Sequence, residues 1–168
     1  MNSVPEIKVE NVKMVKAVVF VFDGVFTDNN VIIDSDGKEY VTCSRLDGIG
    51  LSKLRALKIP HCIISSETDN VVSRRAKKLK IEVFQGVQDK MKKASDWLNY
   101  YNLKFEDMLF LANDENDIPL LKLSGLAVGV SDAHISLNNQ IDFKTRKRGG
   151  AGAVREVCDL IHSALCEQ

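Results

Sequence analysis

Four groups of polar side chains in this chain each follow an apolar run, and together they suit a phosphate monoester. The first is Asp23-Gly24 with Thr27-Asp28, after the run Ala17–Phe22. The second is Ser65, followed by Ser66 and Glu67, after Ile63-Ile64. The third is Lys90, in Gly86-Val-Gln-Asp-Lys90 at the start of a helical pattern. The fourth is Ala112-Asn-Asp-Glu-Asn-Asp117, after Leu109–Leu111. A hydroxyl and an ammonium group can bind phosphate oxygens, and carboxylates from two strands can hold Mg2+ against the dianion. A first-strand aspartate would attack phosphorus, and a carboxyl two residues on would protonate the leaving oxygen. Taken singly, each group has a plain structural role as a turn, a cap or a solvated helix start.

Such groups need a scaffold that brings strand ends together. Apolar runs of four to seven residues alternate with helical periodicity, the pattern of repeated β-α units. Strands are expected at Ala17–Phe22, His61–Ser65, Glu82–Gln85, Met108–Ala112 and Leu126–Val130. Helices are expected at Gly48–Leu57, Asn70–Leu79, Asp89–Tyr100, Asp117–Leu123 and Ala153–Leu165. In the third of these, Met91, Ala94, Trp97 and Leu98 are spaced to form one buried face. The expected fold is α/β: a doubly wound parallel sheet with helices on both faces, in one domain over 1–168. Ligands in such sheets bind at the C-terminal strand ends. One segment breaks the alternation. Asn30–Asp34 and Lys38–Cys43 flank Asp36-Gly37, a strong turn signal, and predict a β-hairpin beside the presumed site. A lone hairpin is marginal, so it should pack on another surface, and a second subunit is the obvious one.

Composition narrows the function classes. The 168 residues hold 23 basic and 23 acidic side chains, which removes a whole-chain argument for nucleic acid or an anionic membrane. Hydrophobic residues make up 45% and charged ones 27%, as in an ordinary folded protein. No stretch approaches the ~18 apolar residues of a membrane span, and Met1 to Met14 has no signal-peptide core, so a cytoplasmic protein is expected. Cys43, Cys62, Cys158 and Cys166 lack metal-ligand spacing and are expected as free thiols. His61, His134 and His162 are scattered. The basic cluster Lys144-Thr-Arg-Lys-Arg148 has a solvated loop as its simplest explanation.

The chain resembles the haloacid-dehalogenase-like (HAD) phosphatases, whose first motif is Asp-x-Asp-Gly-x-x-Thr/Ser-Asp. It is similar to their small cap-less branch of 3-deoxy-manno-octulosonate (KDO) 8-phosphate and nonulosonate 9-phosphate phosphatases. It also resembles the C-terminal domain of some CMP-sialate synthetases. The resemblance runs from Val15 to Ile161. Its pieces are Asp23-Gly24-Val25, the hairpin, Asp47-Gly48, Gln85-Gly86 with Asp89-Lys90, Ser131-Asp-Ala-His134 and the tail Arg148-Gly-Gly-Ala-Gly-Ala-Val-Arg-Glu156. It implies that Asp23 is the general acid/base and that Ser65 and Lys90 bind phosphate. It implies a Mg2+ site of Asp23 (through its carbonyl) and Asn113, with Asp114 and Asp117 in support. Glu67 and Lys78 match the nonulosonate type. The relatives' assembly implies a homotetramer in which hairpins associate and the Gly149–Gly152 tail and Arg155 approach an active site.

Three positions depart from the pattern. Val21 stands where the nucleophilic aspartate belongs, Asn113 replaces an anionic metal ligand, and Ala112 replaces a glycine. Valine has no lone pair, and losing a nucleophile typically costs on the order of 10^4–10^6 in rate. Weak Mg2+ binding should follow. If Asp23 continued the strand it would share Val21's face, roughly 6–7 Å along, too far to replace it. The expectation is a catalytically impaired protein that retains phosphate binding or an oligomerisation role. The alternatives are an active Mg2+-dependent phosphatase and a partner module of a CMP-sugar synthetase.

Overall fold

The structure is a computed structural model and describes residues 8–166. The opening residues 1–7, where half of the expected leader-free N-terminus falls, lie outside the described residues, as do 167–168.

The apolar runs become strands β1 (Ala17–Phe20), β4 (His61–Ile64), β5 (Glu82–Phe84), β6 (Met108–Ala112) and β7 (Leu126–Gly129). Between them lie α2 (Leu46–Ala56), α3 (Asn70–Leu79), α4 (Lys90–Tyr100) and α5 (Ile118–Leu121), and α6 (Ala153–Cys166) ends the chain. Two further elements escaped sequence patterning: a short N-terminal helix α1 (Val9–Lys13) and a two-residue strand β8 (Phe143–Lys144). Both are too short to show a period. The sheet order among the described residues is β5-β4-β1-β6-β7-β8, with parallel pairing throughout. β1 therefore lies at the centre, paired to β4 from Val18↔His61 and to β6 from Ala17↔Met108. All four β1 residues are buried, the continuous apolar run that a strand covered on both faces requires.

The order reverses at β1. The crossovers to β4 and β5 go one way and those to β6 and β7 the other, which opens a crevice at the strands' C-terminal ends. Every cluster singled out in the sequence sits on that edge. On the sheet's face, α2 and α6 pack closely. A Cβ on Gly50 of α2 would fall 2.9 Å from the Arg155 Cα of α6.

The hairpin forms, in reduced length, as β2 (Ile32–Ile33) and β3 (Glu39–Tyr40), with Ile32↔Tyr40 and Ile33↔Glu39 in register. Gly37 has φ +78°, and the Asp34 carboxylate accepts from the N–H groups of Asp36 and Lys38, closing the turn. Its apolar side chains Val31, Ile32, Ile33 and Tyr40 are all exposed. α4 differs in one residue from its expected buried face: Ala94, Trp97 and Leu98 are buried, but Met91 is 41% exposed. No helix among the described residues is long and apolar enough to cross a membrane.

Candidate active site

β1 stops at Phe20, two residues earlier than the apolar run. Val21 extends the ladder by one bond, its N–H donating to the Leu111 carbonyl at 3.1 Å. The chain then coils: the Phe22 carbonyl accepts from the N–H groups of Val25 and Phe26. Gly24 takes φ +71°, and its N–H donates to Thr27 Oγ1 at 3.0 Å. Asp23 thus projects from a turn. The extended geometry used above to relate Asp23 to Val21 does not hold. Val21 is buried, 5% exposed, and its side chain carries only methyl groups.

The other clusters follow neighbouring strands of the same sheet. Ser65 is buried, and its N–H joins the ladder by donating to the Phe84 carbonyl at 2.8 Å. Its Oγ accepts the Glu67 N–H at 3.1 Å, which leaves the hydroxyl proton to donate. Lys90 begins α4, whose N-cap Asp89 accepts from the Lys92 N–H. The Lys90 ammonium donates to Asp117 Oδ1 at 2.6 Å, and the two side chains are 11% and 1% exposed. A cleft of about 420 Å³ opens beside this pair, bounded by Ser66, Gln88, Lys90, Met91 and Asn116. That position explains the exposure of Met91.

Asp23 is half-buried in this setting. Burial first, then the neighbouring Glu67 and Glu39 carboxylates, push its carboxyl above the usual range, while Lys90 pulls the other way. A carboxyl whose pKa is raised holds its proton more readily, the direction a general acid needs. The same balance places Asp23, Glu67 and Lys90 within one field.

Each residue expected at a metal has a particular environment. Asn113 follows β6, is nearly buried, and its carbonyl accepts the His134 N–H at 2.8 Å. Asp114 Oδ1 accepts the Glu115 N–H at 2.7 Å. Asp117 Oδ1 is taken by Lys90, and its Oδ2 is buried without a partner. Glu67 Oε1 accepts the N–H groups of Thr68 and Asp69. Among the described residues, no group of three His, Cys, Asp or Glu could hold a metal ion. Lys78 does not join the cluster within one chain. It stands in the last turn of α3, which begins near the β4 C-terminal end and runs back toward the start of β5.

The glycine-rich tail reaches the first loop of its own chain. Gly150 N–H donates to the Val25 carbonyl at 3.1 Å, and a Cβ on Gly149 would fall 1.9 Å from the Gly24 carbonyl oxygen. The basic cluster is partly structural. The Glu156 carboxylate accepts the N–H groups of Arg146 and Lys147, and Arg148 Nε lies 3.2 Å from Asp132. The four cysteines are free. One buried group drew attention only as part of Asp47-Gly48. Asp47, in the first turn of α2, is fully buried with both carboxylate oxygens unpartnered. Burial raises its pKa to about 7, against the α6 backbone at Arg155 and the Arg75 charge. An acidic residue in an otherwise exposed first turn carries no sequence signal of burial.

Comparison with known proteins agrees with this architecture. A family profile described as haloacid dehalogenase-like hydrolase matches residues 53–156. The chain is 33% identical over 155 residues to 3-deoxy-D-manno-octulosonate 8-phosphate phosphatase KdsC of Escherichia coli (strain K12), covering 92% of this chain and 81% of that one. The crystal structure of the Yersinia pestis 3-deoxy-D-manno-octulosonate 8-phosphate phosphatase superposes with a TM-score of 0.90 at 31% identity, over 95% of this chain and 86% of that one. The Moraxella catarrhalis enzyme, in complex with magnesium ion, phosphate ion and KDO, gives a TM-score of 0.88 at 30% identity, over 93% and 90% of the two chains. The chain belongs to the haloacid-dehalogenase-like hydrolase family and is similar throughout to its KDO 8-phosphate phosphatases.

Proposed function

We propose that this protein binds a sugar-acid phosphate of the KDO 8-phosphate or nonulosonate 9-phosphate type in a phosphatase fold whose hydrolytic chemistry is impaired. Val21 carries the reading. It stands at the end of the central strand, two residues before Asp23, with no atom able to attack phosphorus. The turn at Asp23 supports it too, since a side chain leaving a coil at a different angle does not take over from one on the strand. Ser65 and Lys90 keep the phosphate-binding half of the site. Asn113 makes Mg2+ binding weak.

The exposed hairpin supports a homotetramer, since Val31, Ile32, Ile33 and Tyr40 have no cover among the described residues. Phosphorus NMR tests the reading. A nonulosonate 9-phosphate mixed with stoichiometric protein should give a shifted or broadened ester resonance that stays intact for hours. Rapid growth of free phosphate contradicts impairment, and an unperturbed ester resonance contradicts binding.

A further inference from the structure

A second opening lies at the N-terminal edge of the sheet, where β4 and β5 begin. Arg55, Lys58, Lys80, His61 and Tyr101 bound a cleft of about 360 Å³ there, within the range of small-molecule sites. Its charge is unbalanced. Three of these side chains are cations, and the one carboxylate in the lining, Glu82, accepts the Trp97 indole N–H at 2.7 Å. Among the described residues, Lys58 and Lys80 have no ion-pair partner. Both stand at helix ends with φ +56°, a left-handed turn where glycine is usual. Arg55 Nη1 donates to the Leu79 carbonyl at 3.1 Å, which ties α2 to the end of α3 and sets Arg55 beside Lys80. A helix dipole favours lysines at a C-terminal end without any ligand, but it does not account for the aromatic wall beside them. Tyr101 is 39% exposed, and Trp97 and Tyr100 flank it with ring centroids 5.2 and 5.1 Å away. Tyr100 is 81% exposed.

We propose that this cleft binds a nucleoside phosphate, with its phosphates on Arg55, Lys58 and Lys80 and its base against Tyr101. Uncompensated cations draw a polyanion, and an exposed aromatic face stacks a base of any type. His61 is the reporter inside the cleft. Its Nδ1 donates to the Ile59 carbonyl at 2.8 Å, which leaves Nε2 as the nitrogen that titrates. Burial holds its pKa below the ordinary imidazole value; the Ile59 carbonyl opposes this, and the Arg55 charge adds to it. The cleft is separate from the crevice, since Ser65 follows the opposite end of β4 from His61.

NMR titration of the full chain with ATP in EDTA, followed at the His61 and Tyr101 ring signals, tests this beside titrations with adenosine and with tripolyphosphate. ATP should shift both rings and raise the His61 pKa, because added negative charge favours the imidazolium. It should bind at least about tenfold more tightly than either fragment, since each fragment meets only one of the two walls. Lys58→Glu combined with Lys80→Glu should lose at least about tenfold for ATP at low salt. Tyr101→Leu, which leaves the charges alone, should bring ATP down to the affinity of tripolyphosphate. Unmoved His61 and Tyr101 rings, or an unchanged ATP affinity in either variant, would overturn the proposal. Tripolyphosphate binding as tightly as ATP would overturn the nucleotide assignment, because the aromatic wall would then take no part. Ser65→Ala should leave the ring shifts as they are, and their loss in that variant would place the ligand in the crevice and overturn a separate site.

Discussion

Gly24 and Asn113 fix each other: the amide of Asn113 occupies the space that any side chain at position 24 would need. A Cβ there would lie 2.0 Å from Asn113 Nδ2, and the φ of +71° disfavours an L side chain independently. The first loop and the loop after β6 are thus locked across the sheet's centre. Gly149 closes the third side, with its α-carbon against the Gly24 carbonyl.

Alanine at these two glycines should cost different amounts. Gly24→Ala meets a side-chain amide that can rotate, so about 1–3 kcal/mol of stability should be lost. Gly149→Ala meets backbone oxygens at 1.9 and 2.8 Å that cannot turn aside. It should cost more than Gly24→Ala in urea denaturation, and the reverse ranking would contradict the close approach of the tail.

The ion pair of Lys90 and Asp117 should behave as a buried pair. Removing either partner leaves a charge in a place that is 11% or 1% exposed. Lys90→Met or Asp117→Asn alone should cost about 3–5 kcal/mol, and the double variant clearly less than the sum. Additive losses in a double-mutant cycle would show that the two do not depend on each other.

Asp47 should make stability fall as pH rises. Its folded pKa of about 7 lies above the ordinary carboxylate value of 3.8. A folded state that holds its proton more tightly is stabilised fully below the unfolded value. That advantage is lost as pH climbs from 3.8 through about 7, to a total of about 4 kcal/mol at most. Asp47→Asn stays neutral and should remove this loss. Urea denaturation at pH 5 and pH 8 checks it: the variant should lose less stability than the natural chain, and parallel profiles would contradict the account.

Much of the fold was legible and some of the site was not. The runs at Val18–Phe20 and Leu109–Leu111 read as strands because central parallel strands are apolar on both faces. Asp23, Ser65, Lys90 and Asn113 were placed by their position after such runs. Sequence could not show that Lys90 spends one N–H on Asp117, or that Asp114 and Glu67 turn inward to their own backbones. Those depend on side-chain directions in loops, which no period encodes. Met91 misled for a similar reason: its helical spacing fits a buried face, but the cleft beside Lys90 opens under it. Asp47 was hidden because burial there comes from α6, more than a hundred residues further on.

Asp23 should titrate above an ordinary aspartate. The Glu67 carboxylate contributes to that rise after burial, so Glu67→Gln should lower the Asp23 pKa. Carbon NMR of labelled aspartate carboxyls would follow it. An unchanged or higher value in Glu67→Gln would show that the two carboxylates do not share a field.

The proposed impairment places the main loss at Val21, with Asn113 as a second, smaller one. Phosphate release from KDO 8-phosphate and a nonulosonate 9-phosphate, in Mg2+, by the natural chain and by Val21→Asp tests it most directly. The natural chain should show turnover at background, and Val21→Asp should exceed it by at least about a hundredfold on one substrate, short of a full restoration while Asn113 remains. Robust turnover by the natural chain, unchanged in Val21→Asp, would contradict the account.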